Sequence, residues 1–378
     1  MAQPAYSRVV ETFLELVRID SPSREEAACA AYCAYALTDV GCSVAFDDTA
    51  KATGSDTGNL IAELPGTLPG TLVLSAHLDT VEPGRGVEPV VSDGVIFSAG
   101  DTILGADDKC GLAAAIECVR RIAESGEPHP TLRCVFTVQE EVGLTGAKHL
   151  DPAHAHGDLC LVLDADGAPG GIIIGAPTHM TFKAVFLGKA AHAGVSPELG
   201  VSAIEMASRA IDRMELGRLD EQSTANVGSI QGGTATNVVA ARVEITGECR
   251  SLDSVRVERI RTAMSDAMES AARESGGSVE IAWQTEYEGF LLDEDSPLVD
   301  LVRDACLSAG LTPSTRTTGG GSDANILAAK GVPTLALSSG MQGVHGVSEQ
   351  IAIADIEALA DLCVAVVRRL GARSGART

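Results

Sequence analysis

The sequence predicts an α/β protein: a three-layer domain with a mixed, largely parallel sheet, interrupted by an inserted α+β, ferredoxin-like (βαββαβ) domain. Up to about residue 177, short apolar runs alternate with helical patterns. Between His179 and Glu288 the order becomes strand, helix, strand, strand, helix, strand. After Glu288 the helix–strand alternation resumes. The expected domains are therefore 1–177 with 290–378, and the insertion 178–289.

Each element has its own signal. Tyr6 to Val17 places Val9, Phe13, Leu16 and Val17 on one helical face. Ser23 and Glu26 predict a capping box for a second helix running to Leu37 and ending near Gly41. Ser43 to Phe46, Asn59 to Leu64 and the run into His77 read as strands, and Asp93-Gly94 as a hairpin turn. A helix is expected over Lys109 to Ser125, then strands over Leu132 to Val138 and Leu159 to Leu163. In the insertion the strands are Thr181–Leu187, Ala225–Ile230, Arg242–Cys249 and Val279–Gln284, with helices Val201–Leu216 and Ser254–Glu274. Helices Leu298–Ala309, Ala324–Ala329 and Ile351–Leu370 flank a strand at Thr334–Leu337, and Gly371 to Thr378 reads as a frayed basic tail.

Composition narrows the function. With 378 residues, 45% of them apolar and 21% charged, the chain has ample material for packed cores. A formal net charge of −24 argues against nucleic acid or an anionic membrane as partner. The ten cysteines lie mostly in apolar segments with no C-x-x-C pair, the pattern of reduced thiols used as small hydrophobes. No signal peptide or long apolar span is evident, so a cytoplasmic location is expected. Gly319 to Gly321 is not a phosphate loop, because neither G-x-G-x-x-G nor a Walker lysine follows a strand there.

Five segments end an apolar run, or open a helix, with an acid or a histidine. They are Ser75-Ala76-His77-Leu78-Asp79-Thr80, Gly105-Ala106-Asp107-Asp108-Lys109, Thr137-Val138-Gln139-Glu140-Glu141, Val162-Leu163-Asp164 and Gly343-Val344-His345. Ligands in open α/β sheets bind beyond the carboxyl ends of the strands, so these endings predict a dinuclear metal site. Imidazole and carboxylate ligands together suit two divalent ions, with Zn²⁺ favoured and Co²⁺ or Mn²⁺ admissible. His77 and His345 directly terminate apolar runs, and Asp107, Glu141 and Asp164 supply carboxylates from three elements. Neighbours on an extended segment point opposite ways, so one of Glu140 and Glu141 can hold metal while the other acts as a base. Asp79 is placed to take the second ring proton of His77. Asp108 fits an acid at a helix N-terminus. His129, His149, His154, His156 and His179 read as surface residues.

These residues resemble the motifs of the di-zinc exopeptidases that include peptidase T-type tripeptide aminopeptidases and glutamate carboxypeptidase. The similarity spans nearly the whole chain and is closest to the tripeptide aminopeptidase branch. It implies a catalytic domain with an inserted lid and dimerisation domain, a short-peptide substrate and a homodimer. It also implies that His77 and Asp164 bind one ion, Glu141 and His345 the other, and that Asp107 bridges them. Glu140 would then be the base and Asp79 the residue that orients His77. In the insertion, Gly188-Lys189-Ala190-Ala191-His192-Ala193-Gly194 resembles the family's histidine motif, although Ala190-Ala191 stands where another Gly or Ser is usual. The resemblance makes His192 a stabiliser of the reaction's oxyanion in the opposite subunit. It makes Asn237, Arg250, Gly320 and Ser322 substrate-binding residues. Read from its neighbours alone, Arg250 has Glu248 or Asp253 as equally available partners. The same motifs leave a carboxypeptidase or an N-acyl amino acid amidohydrolase as the alternative activity.

Overall fold

The computed structural model describes residues 6–375 and divides into two compact units. The first comprises residues up to Ile174, Leu292–Thr317 and the chain from Ser322 onward; the second comprises Gly175–Leu291 and Thr318–Gly321.

The first unit is built on a mixed sheet whose central strands are parallel. Thr71–His77 lies between Thr131–Thr137 and Leu159–Ala165, parallel to both, and Leu159–Ala165 pairs in parallel with Thr334–Ser338. Antiparallel strands extend it on both sides: Leu60–Leu64 and Ser43–Phe46 on one, Gly171–Ala176 on the other. Parallel strands need crossovers and are covered on both faces, which explains runs such as Leu72-Val73-Leu74 with no polar alternation. Leu72, Leu74 and Ala76 join the main core, while Val73, on the opposite face, is buried as well. The helix Ala106–Ser125 packs on Thr71–His77 and Leu159–Ala165 and also meets Arg8–Val17, Ala27–Asp39 and Ile353–Gly375. A three-stranded sheet pairs Val95–Ser98 with Pro89–Ser92 and with Gln350–Ala352. Asp93 and Gly94 form its hairpin turn with positive φ (51° and 80°), which Asp-Gly tolerates.

The second unit is a five-stranded antiparallel sheet in the order Gly217–Asp220, Ser223–Gly232, Arg242–Ser251, Thr178–Leu187, Ser278–Tyr287. Helices Ala203–Arg213 and Ser254–Glu274 pack against it. Along Thr178–Leu187 burial alternates, so Met180, Phe182, Ala184 and Phe186 form a core with Met206, Ile260, Met264 and Met268. The only tryptophan of the chain, Trp283, leans on Phe182 with ring centroids 4.9 Å apart and donates its indole N–H to Ser265 Oγ at 3.0 Å.

Several local expectations are corrected. Ser23 and Glu26 form no capping box. Glu26 stands at the N-cap of Ala27–Asp39 without a side-chain cap, and its buried carboxylate accepts Arg24 N–H, Gln139 N–H and the Ser55 hydroxyl. The second unit has an extra strand, Gly217–Asp220, too short and polar to show a period of two. The tail expected from Gly371 is helical to Gly375, within Ile353–Gly375; residues 376–378 lie outside the described residues. All ten cysteines are buried and free. Among the described residues no helix is long and apolar enough to cross a membrane.

Asn59 anchors the loops beyond the sheet. Fully buried, it donates to Asp47, Thr49 and the Gly146 carbonyl, and accepts the Val138 N–H at 3.0 Å. Asn59→Ala would strand these buried groups, at a cost of about 2–4 kcal/mol. A lowered denaturation midpoint with an unchanged m-value is the expected readout.

Candidate metal centre

The carboxyl ends of the parallel strands carry several of the candidate site residues. Thr71–His77 terminates in His77, which pairs across from Thr137, and the turn after Thr131–Thr137 carries Glu140 and Glu141. Asp164 lies near the end of Leu159–Ala165. Asp107 and Asp108 lie at the start of Ala106–Ser125 with non-helical φ/ψ, joined by a cis peptide.

Asp107 is the centre of this cluster. Its Oδ1 lies 3.0 Å from His77 Nε2 and its Oδ2 lies 3.2 Å from His345 Nε2. His77 Nε2 is also 3.9 Å from Asp164 Oδ1, and His345 Nε2 is 3.0 Å from Glu141 Oε2. Each oxygen of one carboxylate thus faces a different imidazole, and each imidazole has a further carboxylate beside it. Ligand atoms of His77, Asp107 and Glu141 lie within 4.8 Å of one another, as do those of His77, Asp108 and Asp164. The Asp108 carboxylate accepts the backbone N–H of His77 at 3.3 Å and of Gly111 at 3.1 Å, as an acid at a helix start does.

The loops that hold these side chains are tied together. Glu349, buried and four residues beyond His345, accepts Gly105 N–H at 2.7 Å and Asp107 N–H at 3.0 Å. His345 itself has φ +61°, unusual for a side chain other than glycine, and its ring is half exposed (54%) where that of His77 is buried. Asp79 contacts more than an imidazole. Its backbone carbonyl lies 2.8 Å from His77 Nδ1 and its carboxylate 3.4 Å, while that carboxylate accepts the Ser23 hydroxyl and the backbone N–H groups of Glu140 and Glu141. The Ser23 hydroxyl expected at a helix cap is used here instead.

Glu140 and Glu141 are not on an extended segment. Gln139 turns the chain with φ +53°, and Gly143 and Leu144 donate to the Glu140 carbonyl, so Glu140 and Glu141 open a tight turn. Glu140 is buried; Glu141 is partly so, with Oε1 buried and unpartnered.

The electrostatics ask for cations. Burial, followed by neighbouring carboxylates, pushes Glu140 and Asp164 well above the usual carboxyl range. Burial also pushes Asp107 upward, but contacts with His345 and His77 outweigh it and hold that carboxyl low. Asp107 and Glu141 raise His345 to about 10. Asp79, Asp107, Asp108, Glu140, Glu141 and Asp164 gather around only two imidazoles, and a buried carboxylate oxygen is orphaned. Two divalent ions fit that donor set.

The remaining expected residues are divided between the two units. His192, Asn237, Arg250 and Gly320 belong to the second unit, and Ser322 to the first. His192 is exposed, and its Nδ1 accepts Gly194 N–H at 3.2 Å. Asn237 is exposed and its carbonyl accepts Ala193 N–H. Gly320 N–H donates to Thr318 Oγ1, and the Ser322 hydroxyl caps Asp323–Ala329 by accepting Ala324 N–H at 3.3 Å. Arg250 donates to Glu248, the Gly319 carbonyl and Tyr287. His179, expected at the surface, is partly buried against Glu248 and Tyr287.

Comparison with known proteins places the chain. Residues 73–369 match the sequence profile of Peptidase family M20/M25/M40. The chain belongs to this family. It is accordingly a hydrolase of the metallopeptidase type, as the M20 profile and the tripeptidase neighbours below support. It is 42% identical to the Bacillus subtilis protein YqjE over 95% of this chain and 97% of that one. It is similar to the crystal structure of aminopeptidase PepT from Bacillus cereus, with a TM-score of 0.92 and 42% identity over 96% and 98% of the two chains. A tripeptidase from Staphylococcus aureus matches with a TM-score of 0.93 and 38% identity over 97% and 98%.

Glu349, which sequence reading missed, supplies a test within this M20 member. Glu349→Ala frees the Gly105 and Asp107 N–H groups while leaving every candidate ligand in place. Zinc affinity is expected to fall about 10–100-fold, measured by titrating chelator-stripped protein.

Proposed function

We propose that this protein is a dinuclear-metal exopeptidase that hydrolyses short peptides in the manner of a tripeptide aminopeptidase. The observation that carries the reading is the Asp107 carboxylate, whose two oxygens face His77 on one side and His345 on the other. The likeness to a B. cereus aminopeptidase and an S. aureus tripeptidase supports the substrate class.

In this reading His77 and Asp164 would hold one divalent ion and Glu141 and His345 a second, with Asp107 contributing its carboxylate to both. Zn²⁺ best suits these ligands. Bound there, such ions would supply Lewis acidity and make a water molecule more acidic. Glu140 is left to carry the proton. It removes one from the attacking water and returns it to the leaving amine, and burial raises its carboxyl above the usual carboxylate range. Asp79 fixes both His77 and the turn carrying Glu140. His192 is proposed to stabilise the oxyanion in the opposite copy of a homodimer formed through the inserted unit. Asn237, Arg250, Gly320 and Ser322 are proposed to bind substrate, with the arginine taking its carboxylate. The protein is proposed to work in the cytoplasm.

Metal analysis should return close to two divalent ions per chain, with activity lost on chelation and restored by Zn²⁺, Co²⁺ or Mn²⁺. Glu140→Ala should keep the metal and lose turnover by several orders of magnitude. A panel of tripeptides, dipeptides, peptides ending in glutamate and N-acetyl amino acids checks the substrate class. Turnover of acyl amino acids alone would overturn the peptidase reading.

A further inference from the structure

In the second unit Arg250, His179 and Tyr287 stand opposite one another on three adjacent strands. Arg250 Nη1 donates to the Gly319 carbonyl at 3.2 Å and the Tyr287 hydroxyl at 3.4 Å, while Nη2 donates to Glu248 Oε2 at 3.0 Å. The same Glu248 oxygen lies 2.7 Å from His179 Nε2. One carboxylate oxygen therefore serves a guanidinium and an imidazole together. Burial, and then the Arg250 charge, lower the His179 pKa, so at neutral pH the ring is uncharged and donates its Nε2–H. The cluster then carries one positive and one negative charge. An arginine that captures an anionic group gains rigidity from such an anchor and loses attraction from the adjacent negative charge.

We propose that Glu248, itself steadied by His179, is a positioning residue that both aims Arg250 and restrains its pull, thereby setting how strongly the enzyme prefers peptides with a free carboxylate over their neutral amides. The proposal rests on the peptidase reading above and on Arg250 as the group that meets the substrate carboxylate. Because a single oxygen accepts both donors, Glu248→Gln can keep the two hydrogen bonds through its amide carbonyl while removing the charge. This separates the electrostatic role from a merely structural one. An ion pair that serves only to stabilise the strand would leave substrate selectivity alone.

The test uses the metal-loaded full-length enzyme with one tripeptide and the same tripeptide as its C-terminal amide. The readout is the KM of the amide divided by that of the free acid. In Glu248→Gln this ratio should rise about three- to tenfold, through a lower KM for the free acid, with kcat on both substrates within about twofold of wild type. In Arg250→Met the ratio should fall to near unity. A Glu248→Gln ratio equal to wild type, beside a collapsed ratio in Arg250→Met, would overturn the restraint by Glu248. An unchanged ratio in Arg250→Met would overturn it by removing Arg250 from carboxylate recognition. Wild-type enzyme that cleaves no peptide at all would instead refute the peptidase reading itself.

Discussion

One carboxylate of the first unit, that of Asp107, stands between two imidazoles that arrive from distant parts of the chain. His77 and His345 are 268 residues apart in sequence, and each meets a different oxygen of Asp107 within 3.2 Å. Concentrating acids in a buried pocket is costly unless positive charge compensates them. The arrangement is therefore intelligible as a holder for cations and is hard to explain as a device for stability alone.

Behind the candidate ligands lies a layer of buried acceptors that fix backbone. Asp79 holds the N–H groups of the Glu140–Glu141 turn, Glu26 holds that of Gln139, and Glu349 holds those of Gly105 and Asp107. Each links a segment to one distant in sequence, and each uses a carboxylate where a neutral side chain would bind an N–H more weakly. Positive φ at Gln139, Leu144 and His345 falls in these same loops. Local backbone cost is accepted where side chains must be aimed, and the second-layer acids hold the loops in place.

Much of this was legible in the sequence because the candidate ligands sit at the ends of strongly patterned segments. The helix Ser254–Glu274 carries enough turns for its period to be plain, and the run into His77 reads as a buried strand without help from its neighbours. Other features were hidden for physical reasons. Glu349 is an isolated acid in a loop, and its meaning lies in N–H groups 242 and 244 residues away. Ser23 precedes a helix and so imitates a cap, yet its hydroxyl is taken by Asp79. The left-handed turn at Gln139 carries no glycine to announce it, so the Glu140–Glu141 pair reads as the end of a strand. His179 was misjudged because the side chains that pack against it, Glu248 and Tyr287, lie 69 and 108 residues further on.

The scarcity of aromatic side chains has a practical corollary. The sole indole, that of Trp283, is packed on Phe182 in the second unit and tethered to Ser265. Its emission thus watches one of the two units, whereas far-ultraviolet dichroism sums over both. The gap between the two melting traces becomes a built-in gauge of whether the units unfold in concert or one after the other.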